Sequence, residues 1–276
     1  MSASSKVHVL TAEEIRQRKF LKRGLFLNIL VLGQTGTGKA TFINTLCDED
    51  IVATNRAAPS ELNIEQHTAK IYEGGTQINL DITMIPGFGD FIDNKRATSV
   101  VIKHIETQFD NMLDEECKIQ RSKKSRDSRI HAALYFIRPT GKGLRELDIH
   151  CLKLLSGRCN VIPIISKADL MTADECRLNK RLILRDIRNH GIKIYDFTMC
   201  FEDLEDEFFP GRLSEIVPFA VVSGTDRMII DKEEFKVRKL PHGVVRVDDP
   251  THNDFLILRT CLLGASLQDL KETTHI

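Results

Sequence analysis

The chain has 276 residues, enough for one large α/β domain or a domain with an extension. Lysine plus arginine equals aspartate plus glutamate at 39 each, so no global attraction to nucleic acid is implied and any basic function has to be local. Seven cysteines without C-x-x-C spacing read as reduced thiols, and with no apolar leader and no apolar run near about 18 residues the expectation is a soluble cytoplasmic chain.

Residues 1–15 are polar. Arg16, Arg18, Lys19, Lys22 and Arg23 then surround Phe20 and Leu21, five cations in eight residues. As a short helix this run could rest on anionic lipid; as a solvated arm it would do nothing. Leu25–Leu32 reads as a buried strand. It feeds Gly33-Gln34-Thr35-Gly36-Thr37-Gly38-Lys39-Ala40-Thr41, and that turn runs into a helix from Phe42. Strand, glycine turn and helix in this order are the context of a phosphate-binding loop. Gly33, Gly36 and Gly38 let backbone N–H groups converge on phosphate oxygens, the helix N-terminus adds partial positive charge, and Lys39 adds a full one. The pattern ends in Ser or Thr, whose hydroxyl holds Mg²⁺, and here that position is Ala40. Thr41 does not replace it, because one helical residue is a rotation of about 100°.

Residues 48–66 are polar and read as a surface loop. His67–Tyr72 and Gln77–Met84 are strands joined by a Glu73-Gly-Gly-Thr76 hairpin signal, and Pro86-Gly87-Phe88-Gly89-Asp90 is a permissive loop. Thr98–Leu113 has helical periodicity, and Lys118–Arg129 is a basic loop. Ala132–Ile137 is a strand, Leu144–Leu155 a helix, and Asn160–Ile165 a buried strand ending in Ser166-Lys167-Ala168-Asp169. Ala173–His190 is a charged helix. Glu202, Asp203, Glu205, Asp206 and Glu207 make an acidic patch. Pro218–Val222 is the last core strand, ending in Ser223-Gly224-Thr225. Met228–Val247 suggests an antiparallel meander. Asn253–Leu270 suggests one amphipathic helix carrying Phe255, Leu258, Leu262 and Leu263 on one side.

Strands alternating with helices predict a mostly parallel sheet covered on both faces, with ligand at the carboxyl ends of the strands. Four post-strand loops would converge there: the glycine loop, the Pro86 loop, Ser166–Asp169 and Ser223–Thr225. Lys167 and Asp169 fit the [NT]-K-x-D pattern that reads guanine. A carboxylate there accepts hydrogen bonds from the base N1–H and 2-amino group, which adenine does not supply. Ser166 departs from the usual Asn or Thr.

Gly87-Phe88-Gly89-Asp90, Tyr135-Phe136-Ile137-Arg138-Pro139-Thr140-Gly141-Lys142-Gly143-Leu144, Ser166–Asp169, His252-Asn253-Asp254-Phe255, Leu258-Arg259 and the run from Gln268 to Thr274 resemble septins, from about residue 16 to the end. The flavour is that of a fungal septin, of sporulation type given its divergent nucleotide residues. The resemblance implies a Ras-like P-loop NTPase sheet with a C-terminal meander and helix. It implies GTP or GDP as ligand, and other septins and anionic phospholipid as partners in membrane-associated filaments, at a division site or forming spore membrane. It also implies an arm over 1–23, a GTP-binding domain over 24–227 and an extension over 228–276. Septins usually carry a C-terminal coiled coil, and no sustained heptads are seen here.

By the same resemblance Arg238 lies against guanine and Gly224 contacts the base through its backbone, with Gly87 at the phosphates. Met84 stands where septins carry the Asp behind Mg²⁺, and Glu61 where a Thr helps place water. Lys142, Glu175 and His242 fall on the subunit interface, with Lys142 replacing a His and His242 a Trp. With Ala40, Glu61 and Met84 degenerate together, Mg²⁺ is expected to bind weakly or not at all and hydrolysis to be negligible. The alternatives are a slow active GTPase and a nucleotide-free scaffold.

Overall fold

The computed structural model describes residues 24–54, 62–91, 93–118, 127–198, 216–230, 232–241 and 243–275. The run Leu25–Gly33 forms β1, buried over most of its length, as a strand with both faces covered has to be. β1 leads into helix α1 (Lys39–Cys47). β2 (Glu65–Glu73) and β3 (Thr76–Met84) form the hairpin. In β2 the alternation is legible: Ala69 and Ile71 face the core while Lys70 and Tyr72 face out. Helix α2 (Lys95–Cys117), β4 (Ala132–Ile137), α3 (Glu146–Leu155), β5 (Asn160–Ile165), α4 (Ala173–Asn189) and the short β6 (Phe219–Ala220) complete the α/β unit. The sheet order is β2-β3-β1-β4-β5-β6, parallel throughout except for the β2–β3 pair.

Two apolar layers cover its faces. On one, Leu27, Ile29 and Val31 of β1 pack with Phe42 of α1 and with Phe255, Leu258 and Leu262 near the C-terminus. On the other, Leu30 and Leu32 pack with Val101 and Ile105 of α2 and Leu152 of α3. A separate antiparallel sheet is formed by β7 (Asp226–Ile230), β8 (Glu233–Leu240) and β9 (Gly243–Arg246).

Several boundaries differ from the sequence expectation. α2 is longer at both ends, where Lys95-Arg96 and Asp114-Glu115-Glu116 carry no apolar periodicity. α3 begins at Glu146 rather than Leu144, because the Leu144 N–H is taken by Asp186 Oδ2 at 3.0 Å. β2 and β7 each begin two residues before the strands read from sequence. β6 shrinks to two residues as the chain turns towards Gly224.

The expected single C-terminal helix is broken into α5 (Phe255–Thr260), a π turn over Cys261–Ala265, and α6 (Leu267–Glu272). The Ser266 N–H reaches back five residues to Cys261 O at 2.9 Å. One extra residue in the turn shifts Leu267 and Leu270 by about 100°, which returns both to the buried face they would otherwise leave. Among the described residues no helix is long and apolar enough to cross a membrane, and the six described cysteines are free.

Candidate functional site

At the carboxyl ends of β1, β3, β5 and β6 the four expected loops surround a cavity of about 520 Å³. Its floor is the glycine loop. Gly33 packs so tightly against β4 that a Cβ would lie 2.6 Å from Phe136 O. Gly36 and Gly38 are left-handed, with φ of 79° and 85°, and a Cβ on either would meet nothing within 4 Å. Those two glycines are therefore required by backbone conformation, and they leave open space in front of the loop. The first turn of a helix leaves N–H groups without intrahelical partners, and Lys39, Ala40 and Thr41 of that turn all border the cavity. The concavity, the N–H groups and the helix end together suit an anion.

Lys39 is 7 % exposed and donates to Gly33 O at 2.6 Å and Gln34 O at 2.8 Å. Burial pushes its pKa down to about 8, an effect partly opposed by the Asp90 carboxylate. Thr37 is buried and its Oγ1 donates to the same Gln34 carbonyl at 2.7 Å, while Thr35 is exposed at the rim.

The other end, where the sequence leads one to expect the base, is built from β5, β6 and β8. Ser166 locks the turn after β5 by donating from Oγ and N to Ile137 O, both at 3.0 Å, so the Ser in place of Asn or Thr still fastens the loop. Lys167 then takes a left-handed φ of 53° and borders the cavity. Ala168 N–H is held by Val221 O at 3.1 Å. The Asp169 side chain is fully buried, with Arg238 Nη1 3.2 Å from its Oδ1. Neither of its carboxylate oxygens has a hydrogen-bond partner. Gly224 is demanded by a close approach, since a Cβ there would sit 2.4 Å from Val237 O. That contact presses β8 against the base loop and places Arg238 and Lys239 on the cavity wall.

The Asp169 carboxylate, ion-paired with Arg238 through Oδ1 but without a hydrogen bond on either oxygen, suits a ligand edge with two N–H donors, which is what guanine presents. The glycine cradle suits its phosphates. The metal end does not fit Mg²⁺ in the same way. Ala40 is partly buried against the apolar layer that holds Phe42, and Met84, at 4 % exposure, is a member of that layer. Neither supplies an oxygen. Gly87, with φ 76°, and Pro86 close this wall. Sequence reasoning missed Glu65, which opens β2 directly across from Met84 and also lines the cavity. Its ring neighbour is His67, with Nε2 3.4 Å from Glu65 Oε2. The missed signal was the hairpin register: counting back from the Gly74-Gly75 turn pairs residue 65 with residue 84.

A second cleft of about 610 Å³ shares Thr35–Thr37 and Lys167 with the first and is bordered by Arg138, Thr140 and Glu175. Glu175 is exposed and closes a capping box at the start of α4, accepting from Thr172 N at 2.8 Å. Lys142 is exposed at the tip of a loop fastened to α4 by Asn179 Oδ1, which accepts from Gly141 N at 2.9 Å, and by Asp186. The structure thus brings Gly36, Gly38, Lys39, Ala40, Thr41, Met84, Gly87, Lys167, Gly224 and Arg238 to one cavity, with Asp169 behind it and Glu175 at its neighbour. Arg16 to Arg23, Glu61, Glu202 to Glu207 and His242 lie outside the described residues.

A septin family model matches residues 23–276. The chain is 40 % identical over 269 residues to septin homolog spn3 of Schizosaccharomyces pombe, covering 93 % of this chain and 72 % of that protein. It is 37 % identical over 274 residues to cell division control protein 11 of Saccharomyces cerevisiae, covering 95 % of this chain and 66 % of that one. The septin GTPase domain of Chlamydomonas reinhardtii superposes with a TM-score of 0.71 over 91 % of this chain and 95 % of that domain, at 22 % identity, which shows the fold.

Proposed function

The chain belongs to the septin family, and from that premise we propose that it is a guanine-nucleotide-binding cytoskeletal subunit that holds its nucleotide without turning it over. The observation that carries the reading is the buried Asp169 carboxylate, whose two oxygens lack hydrogen-bond partners beside a glycine cradle. The Arg238 ion pair meets Oδ1 by charge, but a buried carboxylate without hydrogen bonds still gains from N–H donors, and a guanine edge would supply two. Lys167 would lie along the base, Arg238 would cover it, and Lys39 with the N–H groups of Gly36, Gly38 and the α1 start would hold the phosphates.

Phosphoryl transfer needs its charge neutralised and a water placed in line. Ala40 and Met84 bring neither to the phosphate end. In this reading Mg²⁺ is bound weakly or not at all, and bound GTP persists. The division into an arm over 1–23, a nucleotide domain over 24–227 and an extension over 228–276 is part of the same proposal. The structural support for treating the extension as integral is that Arg238 of β8 reaches Asp169.

For assembly, the second cleft and the Lys142 loop adjoin the nucleotide cavity, as expected of a subunit face that pairs with other septins. Arg16 to Arg23 would meet anionic lipid at membrane-associated filaments, and nothing in the charge balance favours nucleic acid. The test is to denature purified protein, identify released nucleotide by anion exchange, and follow single-turnover hydrolysis of added GTP. Guanine nucleotide with negligible phosphate release is expected. Release at a rate typical of an active septin would make this a GTPase, and no nucleotide with no measurable GDP affinity would make it a scaffold.

A further inference from the structure

The carbonyl of Gln34 does unusual duty in the phosphate loop, accepting from both Lys39 Nζ and Thr37 Oγ1. The Gln34 side chain leaves the loop in the other direction, and its Oε1 accepts from Arg145 Nη1 at 2.7 Å. Arg145 is itself anchored. Its Nε and Nη2 donate to Asp148 at 3.0 and 3.1 Å, and its backbone N–H donates there at 3.3 Å. Asp148 is 2 % exposed and also accepts from Tyr135 OH at 2.8 Å, and Tyr135 is fully buried in β4. Hydrogen bonding to the Asp148 carboxylate raises the guanidinium pKa from its ordinary value, so the arginine stays charged.

We propose that Arg145 is the positioning residue of the phosphate loop. It clamps Gln34 to the rigid β4–α3 core, and so fixes the carbonyl that orients Lys39. The geometry leaves little slack. Asp148 takes one edge of the planar fork, the remaining terminal nitrogen points at Gln34, and a lysine ammonium would not span both. Without the clamp, the loop would keep its left-handed glycines but lose the fixed direction of the Gln34 carbonyl, and Lys39 would no longer be held where phosphate is expected. Arg145 itself does not border the nucleotide cavity. It therefore acts through Gln34 and leaves the base end untouched.

The inference rests on the nucleotide reading above, and the test separates the two. Calorimetric titration of purified full chain with GDP and with guanosine is compared for wild type, Arg145→Ala, Arg145→Lys, Gln34→Ala and the double variant Gln34→Ala/Arg145→Ala. Gln34→Ala leaves the buried Asp148 pair intact, so it reports on the clamp even if Arg145→Ala folds poorly. Each alanine variant is expected to weaken GDP about tenfold while guanosine is unchanged, Arg145→Lys to recover only part, and the double variant to be no worse than the poorer single one. Additive losses, or equal losses for guanosine and GDP, would overturn the clamp. Wild type that binds neither ligand would overturn the nucleotide reading itself.

Discussion

At the base end of the cavity, polar groups from β5, β6 and β8 are held by close contacts: Ser166 to Ile137 O, Ala168 to Val221 O, Gly224 against Val237 O, and Arg238 beside a buried Asp169. At the opposite wall Ala40 packs against the apolar layer under the sheet and Met84 belongs to it. One end presents polar groups that would recognise a guanine base. The other presents apolar side chains where Mg²⁺ would need oxygen atoms. In the proposed reading binding and turnover are carried by different walls of one cavity, which would make them separable properties of it.

The largest effect is expected at Asp169. Replacing it with Asn turns one of two acceptors into a donor that faces the guanine N–H groups. Guanine affinity is expected to fall by about 3 kcal/mol or more, with xanthine nucleotides gaining. Competitive titration with GDP and xanthosine diphosphate measures it, and unchanged selectivity would move the base elsewhere.

At the opposite wall, Met84→Asp puts a carboxylate into the apolar layer beside Ala40. We expect a loss of about 2–4 kcal/mol in urea unfolding of the ligand-free protein, since nothing apolar compensates a buried charge. Combined as Ala40→Ser, Glu61→Thr, Met84→Asp, the same change should bring measurable single-turnover hydrolysis in millimolar Mg²⁺ while nucleotide affinity hardly moves. A change in affinity alone would show that the two walls are not separable.

Gly224→Ala sharpens the base side further. The added Cβ would stand 2.4 Å from Val237 O, so β8 has to move and takes Arg238 with it. A destabilisation of about 1–3 kcal/mol is expected, together with a weaker preference for guanine. A stable variant with full selectivity would separate Arg238 from the base.

The glycine loop, the parallel sheet and the Ser166–Asp169 turn were legible in the sequence because each is local: a spacing, a periodicity, a strand end. What stayed hidden depends on registers and distant contacts. Glu65 reaches the cavity only because the β2–β3 hairpin pairs it with Met84. Arg145 holds Gln34 across 111 positions of chain. The π turn at Cys261–Ala265 answers to the apolar layer beneath it, and the helical pattern alone predicted no break. The need for Gly at position 224 is set by a strand of the C-terminal sheet.

The smallest expected effect concerns pH and Lys39. Its pKa falls from 10.5 to about 8 in the folded chain, with burial the main cause. Between those values the unfolded chain binds the proton and the folded one does not, so this group makes stability rise with pH across that window. Nucleotide binding has the opposite sign. A bound phosphate favours the ammonium, so above about pH 8 binding takes up a proton, and affinity should fall by at most about tenfold per pH unit. Below that value the ammonium is already formed and affinity should be flat. Guanosine, which lacks the phosphates, should show no break near pH 8, and its affinity should fall only at higher pH, where its own N1–H ionises. The Asp90 carboxylate holds the Lys39 pKa up, so Asp90→Asn should move the break in GDP affinity to lower pH. GDP titrations from pH 6.5 to about 9.5 with both proteins test this, and a break that does not move would assign the titration to a group other than Lys39.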